Sequence, residues 1–377
     1  IAGRLTTSSN TLISNCTNSG NLVLPYISGA YVGGIVGHHE KGPLKVEDCK
    51  NFGRIYAENA DLPSIFTGGA PLVGGMIGYT NNSTVKGCIN KADIYGYAAG
   101  GIVGYGITYI TNCINEGNIS GSSMVGGIVG FHYYGTIHDC TNKGKITGVE
   151  YRENKKVSDY SGSAGGIVGS VKQHNEIQRC RNIGDVYNGY YSGGIAGIGG
   201  SIWYCYNTGN VVSQEYSGGI SADFKESDYT KNISYCYNTG NIRGKNSAGI
   251  IASIGEGTVS NCYTVGRIEK ISDEGYIGAI AAYMTGGIIE ECYYLNNISS
   301  GTGYVDYSVS NEPQTTKLTD KQMQNAESFT DFNFTNIWTM DGNNDYLYPE
   351  LKDVEMIYIP YTPGDLDGDE KITDKDA

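Results

Sequence analysis

The sequence ends in a run of side chains that could wrap a hard cation. In GDLDGDEKITDKDA, oxygen donors fall at Asp365, Asp367, Asp369, the Lys371 carbonyl, Thr373 and Asp376. These are positions 1, 3, 5, 7, 9 and 12 of a calcium loop, in which alternate oxygens encircle one ion and the last carboxylate returns to it. Two positions depart from that pattern. Glu370 stands where a sharp turn calls for Gly, and Asp376 replaces a bidentate Glu, while Gly368 could supply the turn instead. Calcium is therefore the one metal the sequence calls for. Zinc is not expected: there is no Cys-x-x-Cys pair, and His38-His39-Glu40 does not form His-Glu-x-x-His.

A second set of residues could act by stacking. Tyrosine is abundant, with 32 residues. Six of these residues, Tyr204, Tyr206, Tyr235, Tyr237, Tyr263 and Tyr293, flank successive cysteines at odd offsets. That parity predicts an outward ladder of rings, a platform for sugars or partner loops. The same ladder would also serve simply to stabilise a sheet surface by cross-strand pairing. Catalysis on sugars needs converging carboxylates. Asp48 and Asp139 share a lane but lie three repeats apart, and His39 and His132, expected at the surface, do the same. No catalytic residue is nominated.

What positions these groups is a repeat. Residues 100–146 read GGIVGYGITYITNCINEGNISGSSMVGGIVGFHYYGTIHDCTNKGKI. Cys-x-Asn-x-Gly-x-Ile appears at Cys113, Asn115, Gly117 and Ile119, then returns at Cys140, Asn142, Gly144 and Ile146, with Gly-Gly-Ile-Val-Gly between. All ten cysteines fall one per unit. Three residues before each is an Ile or Val, such as Ile110 or Ile137, and six after is an aliphatic such as Ile119 or Ile146. Self-similarity at a period in the twenties predicts a solenoid. Offsets 0, 2, 4 and 6 share one strand face, so Cys, Asn, Gly and Ile should point inward. Fifty-six glycines and no sustained i, i+3, i+4 apolar spacing exclude a helical solenoid.

The fold class read from these patterns is all-β: a right-handed parallel β-helix of about ten coils, each of three short strands, with a small C-terminal cap. With coils ~4.8 Å apart the rod would be on the order of 45 to 50 Å long. The inward Asn row is expected to form an amide ladder along the rod. One Cys per coil, pointing in parallel into the core, predicts small buried thiols rather than disulfides.

The solenoid is read over residues 1–298. An exit segment and cap follow over 299–352, where Thr319 and Gln322 have capping-box spacing for a short helix. Residues 353–363 are a linker, and 364–377 hold the incomplete calcium loop. Long insertions at 56–72 and 149–163 occupy the same corner of the coil, so they should project from one edge. The chain opens in phase with a Gly-Gly-Ile phrase, which predicts a start inside a longer array. A net charge of −13 argues against a nucleic-acid partner, and no apolar run reaches the ~18 residues of a membrane span.

The repeated phrases resemble the GLUG-type repeats of bacterial surface proteins, which include adhesin-like proteins and regions attached to immunoglobulin-A-cleaving metallopeptidases. NIWTMDGNNDYLYPEL is similar to the stretch that closes such arrays. PGDLDGDEKITDKDA resembles the first calcium loop of a type I dockerin, with the second loop and both helices missing. These resemblances imply a secreted or cell-surface bacterial protein, attached through a complete dockerin to a cohesin-bearing scaffold. They imply a non-enzymatic adhesin or spacer that presents a rigid surface to a glycan or a host or surface protein. A carbohydrate-active enzyme, a polysaccharide lyase or glycoside hydrolase, is the alternative, because parallel β-helices carry such chemistry.

Overall fold

The computed structural model describes residues 2–6, 9–24, 29–57, 70–148, 162–172, 175–224, 231–340 and 346–352. The fold follows from stacking identical letters. Ile110 pairs with Ile137, Asn115 with Asn142 and Ile119 with Ile146, all in parallel and one coil apart. Repeated over the chain, this register builds three long parallel sheets of 18, 14 and 11 strands among the described residues. The chain is a parallel β-helix.

Its interior is filled by the repeated letters. Ile110, Cys113, Asn115 and Ile119 are buried, as are their counterparts Ile137, Cys140, Asn142 and Ile146. Ile110 and Cys113 are an odd number of residues apart, yet both point inward. The residue before each Cys makes this possible by adopting left-handed backbone. Asn15, Asp48, Asn112, Asp139, Arg179, Tyr204, Tyr235, Asn261 and Glu291 all have φ between 48° and 55°, and Gly87 completes the row at 64°. A left-handed residue turns the chain and resets the alternation of side chains. The bend at Gly-Gly-Ile depends on close approach instead. A Cβ at Gly101 would lie 2.2 Å from the Gly127 carbonyl and 2.5 Å from Asn115 Oδ1, so the Asn side chain fills the space that the glycine leaves.

The solenoid sheets run on past Ile298. Thr302–Val305 pairs with Ala281–Met284, and Thr315–Leu318 pairs with Cys292–Leu295, so part of the polar exit segment adds another layer. The helix Asp320–Met323 follows, and its Thr319–Gln322 capping box is present. From there the chain turns back along the side of the rod. Met323, Phe329, Phe332, Trp338, Tyr346 and Leu351 pack on Tyr206, Tyr237, Tyr263 and Tyr293, a cluster separate from the solenoid core. This cap lies over the flank of four coils.

Candidate functional site

The tyrosine row nominated from the sequence is the floor of that cap. Tyr206, Tyr237, Tyr263 and Tyr293 are buried, so they offer no platform to a ligand. They stack as expected: Tyr206 on Tyr237 at 4.9 Å and Tyr237 on Tyr263 at 5.1 Å. The Tyr263 hydroxyl meets Tyr346 Oη at 2.6 Å and donates to the Pro349 carbonyl at 2.5 Å. Tyr293 donates to Asp331 at 2.8 Å. Tyr204 and Tyr235 are half-buried at the left-handed corner, stacked 5.1 Å apart. The rings do point away from the coil interior, but a later segment lies over four of the six.

Two histidines also depart from expectation. His39 and His132 are buried, not at the surface. His39 Nδ1 lies 3.0 Å from Thr80 Oγ1, and His132 Nε2 donates to the Thr108 carbonyl at 3.0 Å. Burial holds the His132 imidazole down at a pKa of about 4. All ten cysteines are free thiols, and burial pushes Cys140, Cys205 and Cys262 well above the ordinary thiol range. All but Cys16 are buried, packed as small apolar groups among the core aliphatics. Asp139 is held ionised by Arg179, which clamps it at 2.7 and 2.8 Å. Among the described residues, no three His, Cys, Asp or Glu side chains gather as a metal site. Asp365, Asp367, Asp369, Lys371, Thr373 and Asp376 lie outside the described residues, as does most of both long insertions.

The outward residues around each Gly-Gly-Ile bend form a different and more open feature. One lane precedes the bend: Tyr31, Leu72, Ala98, Met124, Ser163, Tyr191, Tyr216 and Asn246, each in register with the next. The Asn246 side chain accepts from the Tyr276 backbone, which places Tyr276 next in that lane. A second lane follows the bend: His38, Tyr79, Tyr105, Phe131, Ser170, Ile198, Asp223, Ser253, Tyr283 and Tyr304. Side chains of the two lanes meet across the bend. Tyr31 lies 4.5 Å from His38, Ser163 Oγ lies 2.7 Å from Ser170 Oγ, and Tyr276 lies 5.7 Å from Tyr283. The bend is therefore concave towards the outside, and the lanes are the two walls of a groove along the rod.

The groove changes character along its length. Leu72, Ala98, Met124 and Phe131 are buried with Tyr79 and Tyr105 against them, so this stretch is filled by its own side chains. From Tyr191 onward the lining is aromatic and polar apart from Ile198. Tyr191 stacks on Tyr216 at 5.2 Å, and Tyr283 stacks on Tyr304 at 5.1 Å. Burial, followed by the nearby Asp223 carboxylate, raises the Tyr191 phenol, and burial raises Tyr216 to about 12, so both remain protonated donors at neutral pH. Glu215 is held by Lys245 at 3.1 Å and by Asn246 Nδ2 at 3.4 Å. The arrangement offers ring faces and phenolic donors beside two carboxylates, Glu215 and Asp223, the complement of a hydroxylated ring.

The sequence does carry this groove, in the phrase Tyr-x-Gly-Gly-Ile at Tyr31, Tyr191 and Tyr216 and in Ile-Val-Gly-Tyr at Tyr105.

No curated protein matches the chain. Among solved structures, a candidate immunoglobulin A1 protease from Bacteroides ovatus is similar at 16% identity over 83% of this chain and 86% of that one, with a TM-score of 0.42. The model of the GLUG motif matches residues 121–147, the stretch from Gly121 through Cys140 to Thr147 at the centre of the rod.

Proposed function

We propose that this protein is a non-enzymatic extracellular adhesin or spacer whose outer groove binds a glycan. The observation that carries the reading is the open half of the groove, where Tyr191, Tyr216, Tyr276, Tyr283 and Tyr304 line two facing walls on a rigid rod. Stacked coils hold these rings at fixed spacing, so little side-chain freedom is lost when a ligand docks. Binding on a glycan array, weakened at least tenfold by Tyr191→Ala or Tyr216→Ala, would support it. Unchanged binding in both variants would move the ligand elsewhere, to the partner-protein alternative.

A carbohydrate-active enzyme is the second reading. It is favoured by one observation: Glu215 and Asp223 both act on the Tyr191 and Tyr216 phenols within the groove. The Lys245 clamp on Glu215 argues against a free acid–base pair. Release of reducing ends or unsaturated sugars from any polysaccharide would replace the first reading with this one.

Attachment is part of the same proposal. The donors at Asp365, Asp367, Asp369, Lys371, Thr373 and Asp376 are all hard oxygens, the chemistry that Ca²⁺ takes. A complete dockerin would carry the protein to a cohesin-bearing scaffold. Calorimetry on a chain extended past Ala377 should show calcium binding, and its absence there would end the attachment idea without touching the groove.

A further inference from the structure

The open half of the groove is not uniform. At one layer both walls carry small side chains, Asn246 and Ser253, in register with Tyr216 and Asp223 on one side. Ser253 is in register with Tyr283 on the other side, where Tyr276 also stands. Layers are ~4.8 Å apart, so the aromatic walls on either side of this gap are roughly 9 to 10 Å apart. Stacked atoms need ~3.5–4 Å from each wall, which leaves room for one ring between them.

The other small-residue layer, Ser163 and Ser170, is closed. Both serines are fully buried and their hydroxyls meet each other. Ser253 is only half-buried and Tyr276 is 39% exposed, so the gap at Ser253 opens to solvent. Tyr216 and Tyr276 flank Asn246, and Asp223 and Tyr283 flank Ser253, one layer to each side, so both walls border the same space. Asn246 is already engaged with Glu215 and the Tyr276 backbone and acts as a fixed floor. The Ser253 hydroxyl is the polar group beside the opening, and the Asp223 carboxylate lies buried next to it, in register with Ser253.

Resting on the groove reading, we infer that the gap over Asn246 and Ser253 is a subsite for one uncharged pyranose ring of an extended polysaccharide. The ring is sandwiched between Tyr216 and the Tyr276–Tyr283 pair, and its hydroxyls meet the Ser253 hydroxyl. The Asp223 carboxylate, with a net charge of −13 on the whole chain, selects against uronate rings.

Calorimetry of the full chain with cellohexaose, mannohexaose, xylohexaose and hexagalacturonate tests this. The wild type should bind at least one neutral hexasaccharide ten or more times more tightly than hexagalacturonate. Ser253→Tyr continues the Tyr283–Tyr304 ladder and plugs the gap, and should weaken that binding at least tenfold. Tyr276→Ala removes an exposed wall without burdening the fold and should weaken it about fivefold or more. Neutral binding that both variants leave within twofold, or equal binding of hexagalacturonate, overturns the subsite and leaves the groove reading standing. No binding of any hexasaccharide by the wild type overturns both.

Discussion

Asn115 donates from its side-chain amide to Oδ1 of Asn142 one coil along, at 2.7 Å, and to its own Gly117 carbonyl at 2.8 Å. The same pair of bonds recurs from Asn18 through Asn51, Asn90, Asn115, Asn142, Asn182 and Asn207 to Asn238. The ladder ends as Asn238 donates to Thr264 Oγ1 at 3.4 Å. From Asn51 onward each amide satisfies its neighbour inside a core that water does not reach. Replacing Asn142 by Ala strands the Asn115 donor and the Asn182 acceptor. Each orphaned group costs ~1–3 kcal/mol, so Asn142→Ala should lower stability by about 2–5 kcal/mol in urea unfolding. A loss below about 1 kcal/mol would show that the ladder is not a source of stability.

The corner before each Cys gives a second test. Asn112 sits at φ 54°, a conformation that costs an ordinary L-residue roughly 1–2 kcal/mol and a β-branched one more. Asn112→Val should therefore lower the unfolding midpoint by an amount equivalent to about 1–2 kcal/mol or more, and Asn112→Gly should hold it. Equal stability of the two variants would mean the corner relaxes freely.

How much of this was legible follows from what repeats. Cys113, Asn115 and Ile119 announce themselves because each interior position accepts few side chains, so the same letters return in every coil. The left-handed corner was hidden because its requirement is on the backbone. Asn, Asp, Gly, Arg, Tyr and Glu all occupy it. Tyr237 was misjudged for another reason: parity tells which side of a strand a ring takes, but not whether a segment about a hundred residues later folds over it. His132 lies four residues after the inward Ile128, on the same side of the strand, so the alternation itself pointed inward and a polar side chain was wrongly expected to be exposed.

The cap interface responds to hydroxyl loss and to alkali. Tyr263→Phe removes the hydroxyl that meets Tyr346 Oη and donates to the Pro349 carbonyl, a cost of ~1–3 kcal/mol. Burial raises the Tyr237, Tyr263 and Tyr346 phenols well above their usual range. The unfolded chain loses these protons first, near pH ~10, and the folded chain keeps them, so the unfolded state binds fewer protons. Stability is thus complete below pH ~10 and falls as pH rises above it. Tryptophan fluorescence of Trp338 should report release of the cap in that window, and a signal flat to pH ~12 would contradict the buried stack.

His132 sets the opposite limit. Its imidazole is fully buried, donates from Nε2 to Thr108, and is held at about 4 by burial against an ordinary value of 6.5. Between those values the unfolded chain binds a proton that the folded chain refuses, so stability rises with pH. The contribution is complete above pH 6.5 and is lost as pH falls towards 4, a total of about 3 kcal/mol from this one residue. His39, also lowered chiefly by burial, adds in the same direction. Urea midpoints should therefore drop steeply between pH 6.5 and pH 4 in the wild type. His132→Gln, which keeps a donor but cannot take up a proton in this range, should flatten that limb by most of its depth. An acid limb unchanged in His132→Gln would place the proton uptake on other groups.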